Sequence, residues 1–267
     1  MKKGLQIGNC IAFILMILVN YISNTGILNN TTIGEVSDNY KSLLTPAGYT
    51  FSIWGLIYLL LLGFTVYQAR NLFAKHNHDD FITNVGWWFI ASCFFNCCWV
   101  FAWIYGYTAL SCLFIFLLLF SLVKIIINNR MELDDKPISI ILFLWWPFVI
   151  YCGWVTVASI ANVSTYLVKI DWNGFGLSES SWAIMLIVIA STINFLVTWR
   201  RNMREFALVG AWALIGIGVA NKDSNDLVMY TAFSIAVLLI TSSLIHGFKN
   251  RETSPLIKLK QYINGKD

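Results

Sequence analysis

Residues 45–68 read TPAGYTFSIWGLIYLLLLGFTVYQ. A Pro-x-Gly turn at Pro46 and Gly48 leads directly into an apolar run that is long enough for a membrane-spanning helix, which needs about 20 residues. The run carries Phe51, Trp54 and Tyr58, and the last two are four residues apart, so that they share one helix face. We therefore expect a membrane helix that begins at a turn and presents aromatic rings to its neighbours.

The composition excludes a soluble fold. The chain has 267 residues, of which 58% are hydrophobic and only 12% are charged, whereas soluble domains carry about 25% charged residues. We expect an all-α protein, a polytopic transmembrane helical bundle. The net charge of +4 comes from basic residues beside apolar spans and not from a basic stripe with stacking aromatic residues, so we expect no nucleic acid partner.

The apolar segments predict eight spans. They lie at about residues 5–22, 49–69, 84–104, 108–127, 138–168, 181–199, 206–220 and 227–248. The polar segment between the first two spans contains several Asn and Thr residues and predicts a loop. The fifth span is longer than a bilayer requires, which predicts a tilt, a projection or a kink near Pro147. The seventh is short, and Gly210, Gly216 and Gly218 predict close helix packing there.

Eight spans separate the basic residues by side of the membrane. If the N-terminus is cytoplasmic, fifteen of the 18 basic residues lie on the cytoplasmic side, and only Lys41, Lys169 and Lys222 lie outside. This is the distribution that the positive-inside rule describes. We therefore expect both termini in the cytoplasm, with residues 249–267 forming a polar cytoplasmic tail.

The spans lack the groups that several functions require. Acidic residues are confined to loops, helix ends and tails, and no Lys or Arg lies mid-span, which argues against ion-coupled transport and a retinal Schiff base. The six Cys residues lie in apolar spans without a metal-binding spacing, and we interpret them as packing residues. His246, at the end of the last span, is more simply explained by the helix dipole than by haem ligation. We expect no metal site and no cofactor.

Aromatic and neutral polar residues remain as candidates for chemistry, and they form three segments. One is the turn and helix of residues 46–58; another is Asn96-x-x-Trp99-x-x-x-Trp103; the third is a stripe of Trp154, Ala158, Asn162 and Tyr166, each four residues from the next. Such groups suit an apolar or flat ligand. Periodicity leaves two interpretations open: packing, with interfacial Trp and interhelical Asn bonds, or a ligand pocket.

These three segments resemble the tryptophan-rich sensory protein and translocator protein (TspO/MBR) family. That family opens its second helix with a Pro-Pro-Gly-Trp-like turn that leads to Phe, Trp and Tyr. Its third helix carries Leu-Asn-x-x-Trp-Ser-x-x-Phe-Phe, and its fifth carries Trp-x3-Ala-Thr-x-x-Asn. Here the segments read TPAGYTFSIWGLIY, FFNCCWVFAW and GWVTVASIAN. Ala47, Tyr49 and Ser159 depart from the pattern, and one residue is missing between Phe51 and Trp54.

The resemblance implies a five-helix bundle over residues 1–169, with three additional helices over residues 170–248. It also implies a pocket between the second, third and fifth helices, covered by the loop that follows the first. The residues that map to this pocket are Trp54, Tyr58, Asn96, Trp99, Trp154, Ala158 and Asn162.

The function that follows is a membrane binding protein, a receptor, sensor or carrier, for a flat apolar ligand. The resemblance implies a tetrapyrrole such as a porphyrin, or a sterol-like molecule. Two alternatives stay open: an enzyme that acts on a lipid-soluble substrate, for example in porphyrin breakdown, and a translocator of lipids or small molecules. Besides the ligand, we count membrane lipid and a second copy of the chain, as a homodimer, among the expected partners.

Overall fold

The computed structural model describes residues 2–72, 80–250 and 255–263, and these residues form helices and turns. The charged loop expected at residues 70–80 and the polar tail therefore lie partly outside the described residues. We number the helices in chain order: α1 Lys2–Ile22, α2 Ile33–Asn39, α3 Gly48–Ala69, α4 Asp80–Val85, α5 Trp88–Ile104, α6 Thr108–Asn128, α7 Ile138–Lys169, α8 Glu179–Arg201, α9 Arg204–Ala220, α10 Asp226–Lys249 and α11 Pro255–Ile263.

Among the described residues, six helices are long and apolar enough to cross a membrane: α1, α3, α6, α7, α8 and α10. Two further apolar helices, α5 and α9, have 17 residues each, which corresponds to about 26 Å at 1.5 Å per residue. The hydrocarbon core of a bilayer is about 30 Å thick. A helical membrane bundle is thus confirmed, whereas the count of eight spans stays a prediction.

The structure corrects two of the predicted boundaries. The third predicted span, residues 84–104, is divided because Gly86 has a left-handed backbone with φ +52° and separates α4 from α5. The polar segment after α1, expected to be a loop, contains α2. Thr32 caps this helix: its hydroxyl accepts a hydrogen bond from Glu35 N (3.2 Å), and its own N–H donates to Glu35 Oε2 (2.8 Å).

α7 contains the distortion expected near Pro147. A π-helical turn covers Ile141–Trp145, directly before the regular part of the helix. Proline has no N–H and its ring clashes with the carbonyl four residues earlier, so a locally widened turn accommodates it. Because a π-helical turn closes over one more residue than an α-helical turn, it shifts the angular position of the following stripe, which starts at Trp154, relative to the first turns of the helix.

α9 connects two hydrophobic clusters. The larger cluster is formed mainly by α1, α3, α5, α6 and α7, and it also includes Phe206 and Val209 of α9. The smaller cluster is formed by α8, α9 and α10 and includes Leu214. The close packing predicted from glycine is confirmed at Gly210 and Gly218, where an added Cβ would lie 2.5 Å from Asn194 and 2.8 Å from Phe233.

The connection between α6 and α7 is attached to the start of α9. The backbone carbonyl of Glu132 accepts a hydrogen bond from Asn202 Nδ2 at 3.1 Å. Burial and the neighbouring carboxylate of Glu205 raise the pKa of Glu132 to about 8, and the opposite charge of Arg204 limits the rise. A half-buried acidic pair, Glu132 and Glu205, therefore lies at this junction of the two clusters.

Candidate functional site

Trp54 is the centre of an aromatic cluster between α3, α5 and α7. Its ring stacks on Tyr58 at 5.5 Å and on Trp99 at 6.3 Å between centroids. The rings of Tyr151 and Trp154 meet it edge to face, at 5.8 Å and 6.2 Å. These are the separations that aromatic pairs prefer, so the cluster packs like an aromatic core.

A small cavity of about 50 Å³ adjoins this cluster. Five of the seven residues predicted to bind ligand line it, namely Trp54, Trp99, Trp154, Ala158 and Asn162. Phe51, Trp103, Val157, Ala161 and Thr165 complete much of the wall. Because one water molecule takes up about 30 Å³ of liquid and ligand pockets measure about 300–1,000 Å³, the cavity is closed to a large ligand in this conformation.

Asn162 is hydrogen-bonded to two other helices. Its Oδ1 accepts a bond from Trp99 Nε1 at 2.7 Å, and its Nδ2 donates to Ser111 Oγ at 2.8 Å and to Cys112 Sγ at 3.1 Å. The side chain thus connects α5, α6 and α7 at membrane depth. This satisfies the amide within the protein and makes Asn162 a residue that positions Trp99 in the cavity wall.

Tyr58 and Asn96, the other two predicted ligand residues, do not line the cavity. Tyr58 lies behind Trp54, whose ring it stacks on. Asn96 is fully buried; its Nδ2 donates to the Tyr151 hydroxyl at 3.0 Å, and its Oδ1 accepts from Asn20 Nδ2 at 2.6 Å. Both residues therefore support the rings from a second layer.

Trp154 supplies the polar group that lacks a partner. Its side chain is 2% exposed and lines the cavity, yet its Nε1–H makes no hydrogen bond to any of the described residues. Burying an unsatisfied donor costs about 1–3 kcal/mol. An acceptor placed in the cavity would remove that cost.

The cavity is covered by the segment between α1 and α3, as the family resemblance implies. Ile33 and Ser37 of α2, together with Thr45 and Pro46, line the cavity. The carbonyl of Ile33 accepts a hydrogen bond from Trp103 Nε1 at 3.1 Å. In the preceding turn, Asn29 Nδ2 donates to the carbonyl of Ile104 at 3.0 Å, so two bonds hold the cover onto the end of α5.

α9 holds the turn that opens α3. Ala47 N donates to the carbonyl of Gly216 at 3.0 Å, and Trp212 Nε1 donates to the carbonyl of Thr50 at 3.0 Å. Gly216 is needed for this approach, because an added Cβ would lie 2.1 Å from Thr50 Oγ1. The predicted close packing of Gly216 is confirmed, and the contact fixes where Phe51 and Trp54 enter the cluster.

Some residues of the site were not predicted from the sequence. Tyr151 was missed, although it lies three residues before Trp154 and thus on the same side of the helix. Asn20 was missed because a single Asn near a helix end carries no pattern. The bond between Trp212 and Thr50 joins positions 162 residues apart, and no local spacing indicates it.

The family model described as TSPO-like protein matches residues 6–245.

The chain belongs to the TSPO-like family.

Its membership, together with the apolar helices, makes this TSPO-like protein a multi-pass integral membrane protein. The match includes α8 and α9 and most of α10, and the division of the chain at residue 169 stays a prediction. No curated protein and no solved structure matches the chain.

Proposed function

We propose that this TSPO-like protein binds a flat, apolar ligand that carries one hydrogen-bond acceptor, acting as a sensor or carrier. The observation that supports this proposal most directly is the Nε1–H of Trp154 beside the aromatic cavity, which has no acceptor among the residues that the structure describes. The cavity wall offers ring faces and small side chains but no charged group. A sterol-like molecule has a large apolar surface and one hydroxyl, and a tetrapyrrole has a large flat ring whose carboxylates lie at one edge, where they can stay outside the apolar wall.

Ligand entry requires the cover to move. A cavity of about 50 Å³ cannot hold such a molecule, and α2 is the short element above it. The two side-chain bonds that hold α2 and the turn before it onto α5, from Asn29 and Trp103, are each worth about 1 kcal/mol. Displacing α2 would break these bonds and uncover the buried side chain of Val36, and it would let a ligand reach Trp54 and Trp99 from the membrane end where α3 begins.

We also propose an orientation in the membrane, with both termini in the cytoplasm and the cover on the opposite side of the bilayer. The distribution of basic residues supports this assignment. A cysteine-free variant with one reporter cysteine in the α7–α8 connection, residues 170–178, should react with an impermeant maleimide added outside intact cells. Labelling only after permeabilisation would reverse the orientation.

Titration of the purified protein with protoporphyrin IX tests the binding function. We expect saturable quenching of tryptophan fluorescence. Ala158→Leu should reduce the affinity at least tenfold, because its side chain would fill the cavity that Ala158 leaves open. Gly55→Leu is the matched control, since Gly55 on α3 has no atom within 4 Å of an added Cβ.

The outcomes of this titration distinguish the alternatives. Saturable quenching that Ala158→Leu abolishes and Gly55→Leu preserves would support binding in the cavity. A time-dependent change in the porphyrin absorption spectrum, in the dark or in light, would favour an enzyme. Absence of saturable quenching with both protoporphyrin and a fluorescent sterol would contradict the proposal and leave translocation, which flux into proteoliposomes would detect.

A further inference from the structure

A second and much larger cavity lies at the end of the bundle where α1 ends and α3 begins. Its volume is about 470 Å³, within the range of small-molecule sites. It is bounded by the segment before α3, the last turns of α7, the α7–α8 connection and the first turns of α8. It is separate from the aromatic cavity, since the two have no lining residue in common.

The cavity is amphipathic. Leu44, Leu167, Ala183 and Leu186 line its apolar part, and Leu44 and Ala183 are buried. Its rim carries the polar side chains of the connecting segments. This division suits a molecule with an apolar body that continues into a single polar group at the membrane surface.

The charge at the rim is negative. Asp171 and Glu179 both line the cavity and are exposed, and within the described part of the chain neither forms an ion pair. One oxygen of Glu179 accepts a hydrogen bond from Leu43 N at 3.1 Å, which fixes the carboxylate at the mouth. Among the described residues that line the cavity, Lys41 is the only lysine. Its Nζ lies 3.0 Å from a carboxylate oxygen of Asp38, and Asp38 does not line the cavity.

Lys169, the lysine next to the cavity, also has interaction partners. Lys169 Nζ donates to the carbonyl of Gly106 and lies 5.6 Å from the ring centroid of Tyr40. At this end of the bundle the described connections and adjoining helix ends carry six carboxylates and three lysines. The field at the cavity mouth therefore favours a positively charged group.

Two indole rings form one wall beside these carboxylates. Trp172 and Trp182 both line the cavity, with ring centroids 5.0 Å apart. Trp182 Nε1 donates to the carbonyl of Gly174 at 2.7 Å, which holds its ring in place. The faces of indole rings attract ammonium groups, and quaternary ammonium ligands are recognised in this way.

We propose that this cavity binds an alkylammonium amphiphile, with the ammonium group at Asp171, Glu179 and Trp172 and the apolar chain against Leu167 and Leu186. The carboxylates supply the charge, the indole ring supplies a polarisable face, and the apolar part receives the chain. The site shares no lining residue with the aromatic cavity, and the proposal does not rest on the function proposed for that cavity.

Equilibrium dialysis of the protein in nanodiscs, with empty nanodiscs as blank, tests the proposal with two probes of equal chain length. Decyltrimethylammonium should bind saturably, and decyl sulfate should bind at least fivefold more weakly. Asp171→Asn and Glu179→Gln should each weaken decyltrimethylammonium by about two- to fivefold, the effect of one part-exposed charge contact. Asp223→Asn is the matched control: it removes an equivalent exposed charge at the same end but outside the cavity.

The probe comparison uses the unmodified protein, so it does not depend on how the variants fold. Equal affinity for the two probes would overturn the proposal, as would equal effects of Asp171→Asn and Asp223→Asn. If binding is selective, competition with dihexanoylphosphatidylcholine identifies the source of the ammonium group: displacement indicates a lipid head group, and its absence a free amine.

Discussion

Two Trp→Phe substitutions in the aromatic cavity can distinguish a tryptophan that only packs from one that donates a hydrogen bond to a ligand. Trp154→Phe removes the Nε1–H that has no partner among the described residues. Trp99→Phe removes an N–H that donates to Asn162 Oδ1 at 2.7 Å. Both substitutions delete the same atoms from buried rings, with 2% and 7% exposure, so that the cost of lost volume is similar and largely cancels between the two variants.

The remaining difference in stability can be estimated from hydrogen bonding. Trp99→Phe loses a bond worth about 0.6 kcal/mol on average between membrane helices, with larger values at buried sites, and it leaves the acceptor without its indole donor. Trp154→Phe instead removes an unsatisfied donor, which relieves about 1–3 kcal/mol. We therefore expect Trp99→Phe to be less stable than Trp154→Phe by about 2 kcal/mol.

Trp154→Phe should weaken ligand binding although it does not destabilise the protein. If the ligand acceptor takes the Nε1–H, its loss should weaken binding about fivefold, equivalent to about 1 kcal/mol, while the protein stays folded. Reversible unfolding in mixed micelles, with increasing fractions of dodecyl sulfate, measures the stability of both variants. Quenching by protoporphyrin IX measures the affinity.

Equal destabilisation by the two substitutions would refute the reasoning, because it would mean that the Nε1–H of Trp154 already has a partner in the folded protein. A Trp154→Phe variant that is stable but binds with unchanged affinity would refute only the assignment of Trp154 as donor. It would leave the ring in the cavity wall as a packing element.

Three further predictions concern the cover over the aromatic cavity, the junction between the α6–α7 connection and α9, and the turn before α3. Trp103→Phe should speed ligand association about fivefold, measured by stopped-flow quenching, because it removes the roughly 1 kcal/mol bond to the carbonyl of Ile33. Glu132→Gln should flatten the fall in stability between about pH 4.5 and 8, measured by thermal unfolding across pH, since a carboxyl with a raised pKa of about 8 destabilises the fold as the unfolded chain ionises. Gly216→Ala should cost about 1–3 kcal/mol in dodecyl sulfate unfolding, because its Cβ would lie 2.1 Å from Thr50 Oγ1.

Each of these predictions has a control and a contrary result. Trp87→Phe, at an exposed ring, should leave association unchanged, and an unchanged rate in Trp103→Phe would mean that α2 does not gate entry. Asp223→Asn should not alter the pH profile; a profile that Glu132→Gln also leaves unaltered would place the titrating group elsewhere. Gly55→Ala, in open space, should leave the stability unchanged or slightly raised. An equally small effect of Gly216→Ala on stability would mean that the turn before α3 moves away from the added Cβ at little cost.

The sequence predicts the helical membrane class well, because composition and apolar length report burial in lipid directly. It predicts helix ends less well where a single backbone conformation decides them, as at Gly86 with its left-handed φ. The capping pattern of Thr32 and Glu35 does indicate α2, but a polar segment beside an apolar helix favours a loop on composition alone. The eight-span count rests on α5 and α9, whose length is marginal for a bilayer.

For the site, the family resemblance implies that Trp54, Trp99 and Trp154 lie near one another, and in the structure their rings belong to one cluster. Periodicity cannot show which polar groups are already paired. The resemblance maps Asn162 to the ligand pocket, whereas in the structure its amide is bonded to Trp99 and Ser111. Within the described part of the chain, it is the indole N–H of Trp154 that has no acceptor. Hydrogen bonds between distant positions decide this, and they depend on tertiary packing.

The C-terminal helices take part in the site through α9. The turn of residues 45–48 precedes the helix that carries Trp54, and the carbonyl of Gly216 and the indole of Trp212 are bonded to this turn and to Thr50. A displacement of α9 therefore moves the start of α3 and with it the rings over the cavity. α9 also contacts α8, which lines the second cavity, so α8 and α9 form a physical connection between the two cavities. If both bind ligands, occupancy of one should change the affinity of the other by the same factor in both directions, and titrating protoporphyrin IX with and without saturating decyltrimethylammonium measures that factor. A factor of one would mean that the α8–α9 contact transmits no displacement and that the two sites act independently.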